Sequence, residues 1–152
     1  MDQPNHLSWW PGDEYSPGIS EDTWMGLLKD SDVFEDNSLI VMKCMLDYDK
    51  RIDGGAACIE LAEKYGRTKD FYNLMSSQLA KRVHIKTKCE LIRGGNATED
   101  ERFWPVLYTG MYADENHSKF IYRLRPELKR ALINLTVRDL SFDTRQPQPI
   151  GT

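Results

Sequence analysis

Eleven residues between positions 67 and 88 carry the chemistry that this sequence offers most clearly: Arg67, Thr68, Lys69, Tyr72, Asn73, Ser76, Ser77, Lys81, Arg82, Lys86 and Lys88. The cations suit phosphate oxygens. Asn73 has the paired donor and acceptor that match adenine in the major groove, and the hydroxyls suit bases or phosphates. Residues 67–93 hold seven bases and two acids, a net of +5, within a chain of net charge -4. The first 40 residues hold nine acids and one base. A local basic face can act despite an acidic total, because salt screens charges beyond ~8–10 Å. The same cations also suit a solvated helix end, where they complement the helix dipole.

Other constellations are poorer. His6, His84 and His117 are isolated, and His84 sits among basic residues, which favours a nucleic-acid or solvent-facing role over metal ligation. Cys44, Cys58 and Cys89 form no CxxC pair, so neither a disulfide framework nor a structural zinc site is expected. Asp47 and Asp49 are two apart and do not share a helix face; they read as a solvated turn. Gly54-Gly55 and Gly94-Gly95 lack the lysine and spacing of a phosphate loop. Ser76-Ser77 lacks the strand-to-helix glycine context of a hydrolase nucleophile. No catalytic set emerges, and no cofactor is expected. The aromatics Trp9, Trp10, Trp24, Phe103, Trp104 and Tyr108 read most simply as core and docking residues; the sharper alternative is a pocket for a flipped or modified base.

The elements that would position the 67–88 residues follow from the hydrophobic pattern. Ser20 caps a short helix carrying Trp24, Leu27 and Leu28. A second helix begins at Asn37 or Ser38 with a stripe of Leu39, Met42, Met45 and Leu46. A third spans about Ala57–Tyr65, with Ile59, Leu61 and Ala62 available to the core, and stops at Gly66. Thr68 caps a fourth with Phe71, Met75, Leu79 and Val83 on one face. Cys89–Ile92 is a strand candidate and Gly94–Glu101 a polar loop. Phe103–Tyr112 reads as a strand in which Pro105 marks an edge or bulge. Lys119–Leu124 is a second strand, and Pro126 opens a final helix through Leu135.

Helices three and four, joined through Gly66-Arg67-Thr68 with small Ala62 four residues before the glycine, match a helix-turn-helix, and the hairpin after them makes the winged version. The fold class expected is α+β, mainly helical, winged helix-turn-helix-like with a C-terminal hairpin and final helix. An irregular acidic and aromatic arm covers 1–18, one domain covers 19–136, and a flexible tail covers 137–152. In the DNA reading the start of helix four enters the major groove, and Arg67, Lys81, Arg82, Lys86 and Lys88 contact phosphates. Asp114 and Glu115 at the hairpin tip oppose contact by the wing.

With 152 residues, 40% hydrophobic and 29% charged, the chain suits one globular domain. No apolar run spans a membrane, and the N-terminus lacks the basic stretch and apolar run of a signal peptide, so a cytoplasmic, reduced protein without a membrane partner is expected.

The strings Pro17-Gly18-Ile19-Ser20, Trp24-x-x-Leu27-Leu28-Lys29-Asp30, Asn37-Ser38-Leu39, Met45-Leu46-Asp47-Tyr48, Leu61-Ala62-Glu63-Lys64-Tyr65-Gly66, Leu79-Ala80-Lys81-Arg82, Trp104-Pro105-Val106-Leu107-Tyr108 and Leu124-Arg125-Pro126-Glu127-Leu128-Lys129 occur in order. Across about residues 15–135 this order resembles the N-terminal region of McrB-like restriction ATPases of bacterial modification-dependent restriction systems. The resemblance implies a targeting domain for double-stranded DNA, working with a separate motor or nuclease subunit. It implies no nucleotide hydrolysis here, since the motor motifs are absent, and it carries no fold, because such N-terminal regions differ widely. The alternative is a protein-interaction adaptor or transcription regulator on the same scaffold, whose acidic N-terminal region binds a basic partner, mimics nucleic acid or covers the chain's own basic face.

Overall fold

The computed structural model describes residues 8–51, 54–92, 102–116 and 119–138. His6, His117, the 94–101 loop and the tail after Arg138 lie outside these. The order is α1 (Glu21–Leu28), α2 (Asp36–Arg51), α3 (Cys58–Tyr65), α4 (Lys69–Thr87), a 3-10 turn (Trp104–Val106), β1 (Tyr108–Tyr112), β2 (Phe120–Leu124) and α5 (Pro126–Arg138). The chain is therefore α+β and mainly helical, with one antiparallel hairpin.

Local chemistry sets these boundaries. Ser20 Oγ accepts from Thr23 N at 3.1 Å and Thr68 Oγ1 from Phe71 N at 3.1 Å, each satisfying one of the amides that a helix start leaves open. Ala57 has no side-chain oxygen, so at the start of α3 only the reach-back half of a capping box is present: Glu60 Oε1 accepts from Ala57 N at 2.8 Å. Glu60 Oε2 also takes Lys119 Nζ at 3.1 Å, tying α3 to the entry of β2. Gly66 ends α3 at φ 90°, and Arg67 follows at φ 67°. Two successive left-handed residues reverse the chain in three positions, which is why a glycine is needed at the first.

The hairpin pairs Tyr108 with Leu124 and Tyr112 with Phe120, with Gly110 opposite Tyr122. Both outer edges are capped. Trp10 exchanges two backbone hydrogen bonds with Gly110 (2.8 and 2.7 Å), and Ala56 exchanges two with Tyr122 (2.9 Å each). The spatial order is thus arm, β1, β2, then the residue just before α3. Gly55 beside it has φ +92°, and a Cβ there would lie 2.2 Å from Tyr122 O, so only glycine lets this edge approach β2.

The core joins all the helices and the hairpin. Trp24, Met42, Tyr72, Leu79, Val83, Leu128 and Leu132 are fully buried, and Trp24 meets Phe34 edge-on at 6.4 Å. The α2 stripe of Leu39, Met42, Met45 and Leu46 is buried as expected, whereas Ile59 faces outward. Around the hairpin, Trp104 packs edge-on against Trp10, Phe120 and Tyr122 at centroid distances of 5.2–5.5 Å.

Two expected strands differ. Cys89–Ile92 forms none, because its backbone polar groups are bonded to the end of α4 and to Tyr15. Lys88 closes α4 in the left-handed region at φ 58°, Cys89 N donates to Thr87 Oγ1, Cys89 O meets His84 Nδ1 and Glu90 O accepts from Tyr15 OH. Residues Trp104–Val106 form the 3-10 turn, flanked by Phe103 and Leu107, with Leu107 N bonding Trp104 O at 3.0 Å, and Pro105 sits in its first positions, where no amide is needed. The strand starts only at Tyr108.

Candidate nucleic-acid interface

The eleven residues divide by where α4 and its neighbours place them. Lys69, Asn73, Ser77 and Lys81 succeed one another at four-residue intervals, so they form one row along α4, ~18 Å long at 1.5 Å per residue. Lys69, Asn73 and Lys81 are exposed and Ser77 half-buried. Arg67 and Thr68 are exposed in the turn before the row. The Arg67 guanidinium lies 4.5 Å from the centroid of the Phe71 ring. Lys81 Nζ stands 5.3 Å from the Phe103 ring, and Lys88 is exposed at the helix end.

Tyr72 and Ser76 are corrections. Both were expected to face outward; they are 0% and 7% exposed. Their polar tips are satisfied inside: Tyr72 OH donates to Gly66 O at 2.8 Å, and Ser76 Oγ and Tyr108 OH are 2.7 Å apart. A hydroxyl with an internal partner is cheap to bury, so these two residues pack although their type reads as polar. The buried face of α4 therefore takes in Tyr72 and Ser76 beside Leu79 and Val83, with Phe71 and Met75 half-buried at its flank. Burial pushes the Tyr72 and Tyr108 phenols well above the ordinary tyrosine range.

Arg82 is a second correction. Its Nε donates to Val33 O at 2.7 Å and its Nη2 to Ser38 Oγ at 2.6 Å, with Glu35 at 4.0 Å. The guanidinium clamps α4 to the segment entering α2 and is committed to the fold. Lys86 Nζ pairs with Asp30 Oδ2 at 3.2 Å. The Asp30 carboxyl is held below its usual range, chiefly by the Asp32 amide and then by Lys86. Acids of the N-terminal region thus pair with two of the four cations at the end of α4, Arg82 and the still exposed Lys86, while Lys81 and Lys88 are exposed.

His84 is half-buried, bonded through Nδ1 to Cys89 O at 2.7 Å and edge-on to Phe103 at 6.1 Å, and it lines an open groove with Lys88 and Arg102. Asp47, expected in a solvated turn, accepts a hydrogen bond from Tyr65 OH. The three cysteines are free thiols; burial, followed by nearby carboxylates, pushes Cys44 up to about 12 and Cys58 to about 11, far from a reactive thiolate. Among the described residues no group of His, Cys, Asp or Glu is arranged to hold a metal ion, and no helix is long and apolar enough to cross a membrane.

Sequence reasoning missed three features. A cavity of about 360 Å³ lies between α4 and the hairpin, with Asp70, Asn73 and Ser77 on its α4 side and Trp104, Tyr108 and Tyr122 opposite. Its walls come from six elements, so no local spacing reveals it. Leu74 and Ile85 on α4 are 52% and 73% exposed; their wide separation hid them as a pair. Arg125 is 8% exposed, donates through Nε to Pro105 O at 2.6 Å, and buries an Nη2 that finds no partner among the described residues.

The acidic hairpin tip is as expected: Asp114 and Glu115 are exposed, and Asn116 N bonds Asp114 Oδ1 at 3.0 Å. No protein-family model, curated protein or solved structure matches this chain.

Proposed function

We propose that this chain is a non-catalytic DNA-binding domain that recognises double-stranded targets, serving a bacterial restriction or defence system alongside a separate motor or nuclease subunit. The observation that carries the reading is the exposed row Lys69, Asn73, Ser77 and Lys81 on a helix that follows a three-residue turn. Such a row has the length and the donor and acceptor chemistry to lie in a major groove. The arrangement around it supports a winged helix: a bridging residue before α3, two helices about Gly66, then a hairpin whose inner strand pairs with that bridge. The order of sequence strings shared with McrB-like targeting regions supports the restriction context.

In this reading Lys69 and Asn73 reach base edges or flanking phosphates, and Arg67, Lys81 and Lys88 supply the salt-dependent phosphate contacts. Tyr72, Ser76 and Arg82 hold the helix in place. Fluorescence anisotropy with short duplexes, unmodified and methylated, at two salt concentrations tests it. Binding that weakens with salt, and that is lost when Arg67, Lys69, Lys81 and Lys88 become Ala, is expected. A methylation preference would support the restriction role.

A second reading, an adaptor for another protein, is favoured by Leu74 and Ile85. They lie three turns apart on the same side of α4 as Gln78 and Lys81 and together expose more apolar surface than a lone surface residue does. No binding to any duplex at low salt by the folded protein would move the assignment to that reading.

A further inference from the structure

Apart from Asn73 and Ser77, the cavity between α4 and the hairpin has a lining that the DNA reading does not use. Its volume, about 360 Å³, falls in the range of small-molecule sites. Aromatic rings from four elements meet there: Tyr72 on α4, Trp104 on the 3-10 turn, Tyr108 on β1 and Tyr122 on β2. They stand at steep angles to one another, Trp104 and Tyr122 at 79° with centroids 5.2 Å apart and Tyr108 and Tyr122 at 48° and 5.2 Å. Among the described residues the walls contain no lysine, arginine or histidine, and Asp70 is their one carboxylate. Lys69 and Lys119 border the adjoining groove instead, and Lys119 is paired with Glu60. Burial, then the Asp70 carboxylate, raises the Cys58 thiol on the cavity wall, and Lys69 lowers it.

An electron-rich aromatic wall with one carboxylate and no cation repels phosphate and favours positive charge that is poorly hydrated. We propose that this cavity binds a methylated ammonium group, with its methyls against Tyr122 and the accessible edge of Trp104 and its charge opposite Asp70. The site shares Asn73 and Ser77 with the Lys69–Lys81 row, and its test does not depend on whether the chain binds DNA.

Two sources could present that group, a free quaternary amine or a methylated lysine side chain. The test titrates the full chain with choline, with its neutral isostere 3,3-dimethylbutan-1-ol, and with N-acetyl-trimethyllysine amide, following the Trp104 indole resonance by NMR. Saturable shifts at Trp104 and Tyr122 are expected with both cations, at least tenfold weaker with the neutral isostere and at least tenfold weaker in Asp70→Asn. Asp70 is exposed, so this variant is expected to retain its fold, and a thermal melt of it checks that directly. Tighter binding of the lysine derivative would assign the source to a protein side chain, and tighter binding of choline to a free amine. Equal binding of the isostere, unchanged affinity in folded Asp70→Asn, or no shift with either cation would overturn the proposal.

Discussion

Replacing Arg82 with Ala separates the cations that hold this fold from those that face outward. The side chain is 22% exposed and spans two buried acceptors: Val33, 2% exposed, accepts at 2.7 Å and Ser38, 1% exposed, at 2.6 Å. Removing the guanidinium leaves both without this donor and strips the charge-assisted bonds that join α4 to the start of α2. Each unmet buried partner costs about 1–3 kcal/mol, and partial entry of water reduces the sum, so a loss of about 2–4 kcal/mol is expected. At about 3–4 °C per kcal/mol for a domain of this size, the melting temperature falls by roughly 6–16 °C. Arg82→Lys recovers little, because an ammonium cannot fork between two acceptors. Lys81→Ala, by contrast, removes an exposed side chain and changes stability by no more than about 0.5 kcal/mol. Urea unfolding read by tryptophan fluorescence measures both, with the midpoint moving and the slope constant. Arg82→Ala as stable as Lys81→Ala would refute the assignment of this arginine to the fold.

The remaining expectations follow from single contacts. Thr68→Ala removes the cap of α4 and costs about 1 kcal/mol, and Ser20→Ala does the same for α1; urea midpoints check both. Gly55→Ala drives a Cβ into Tyr122 O at 2.2 Å and strains a φ of +92°, so it should lose several °C in melting temperature or fail to fold. The Asp30 pKa is lowered in the folded state, so its contribution is complete above the unfolded value near 4 and fades as pH falls through the folded value; the melting difference between wild type and Asp30→Asn should vanish at the acid end of a pH series. Asp30→Asn with Glu35→Gln should also strengthen duplex binding at low salt, because it unmasks Lys86, and unchanged affinity would show that these acids do not cover the basic face.

The helices were legible because their signals are local. Ser20, Thr68 and Pro126 announce starts, and Gly66 announces a stop through its own backbone freedom. The inward face of α4 was misread because Tyr72 and Ser76 are polar by type and become core only through partners 6 and 32 residues away. Arg82 and Lys86 gave the same difficulty in reverse: composition counts them as free positive charge, while Val33, Ser38 and Asp30 claim them across 44 to 56 residues of chain. Cys89–Ile92 has a strand's composition but spends its backbone groups on Thr87, His84 and Tyr15. The bridges of Trp10 to Gly110 and Ala56 to Tyr122 were not legible, since a pair of backbone hydrogen bonds does not name its partner strand, and Gly55 shows only that some close approach is needed beside Ala56.

The central claim is that the Lys69–Lys81 face of α4 is the surface that meets nucleic acid, and the most direct measurement is a map of backbone amide shifts as a short duplex is added to the labelled chain at low salt. The account predicts shifts concentrated at Arg67, Lys69, Asn73, Ser77, Lys81 and Lys88, reversed by added salt and absent from α1 and α5. Shifts centred on α1, α5 or the acidic hairpin tip, or no shifts in a folded protein, would contradict it.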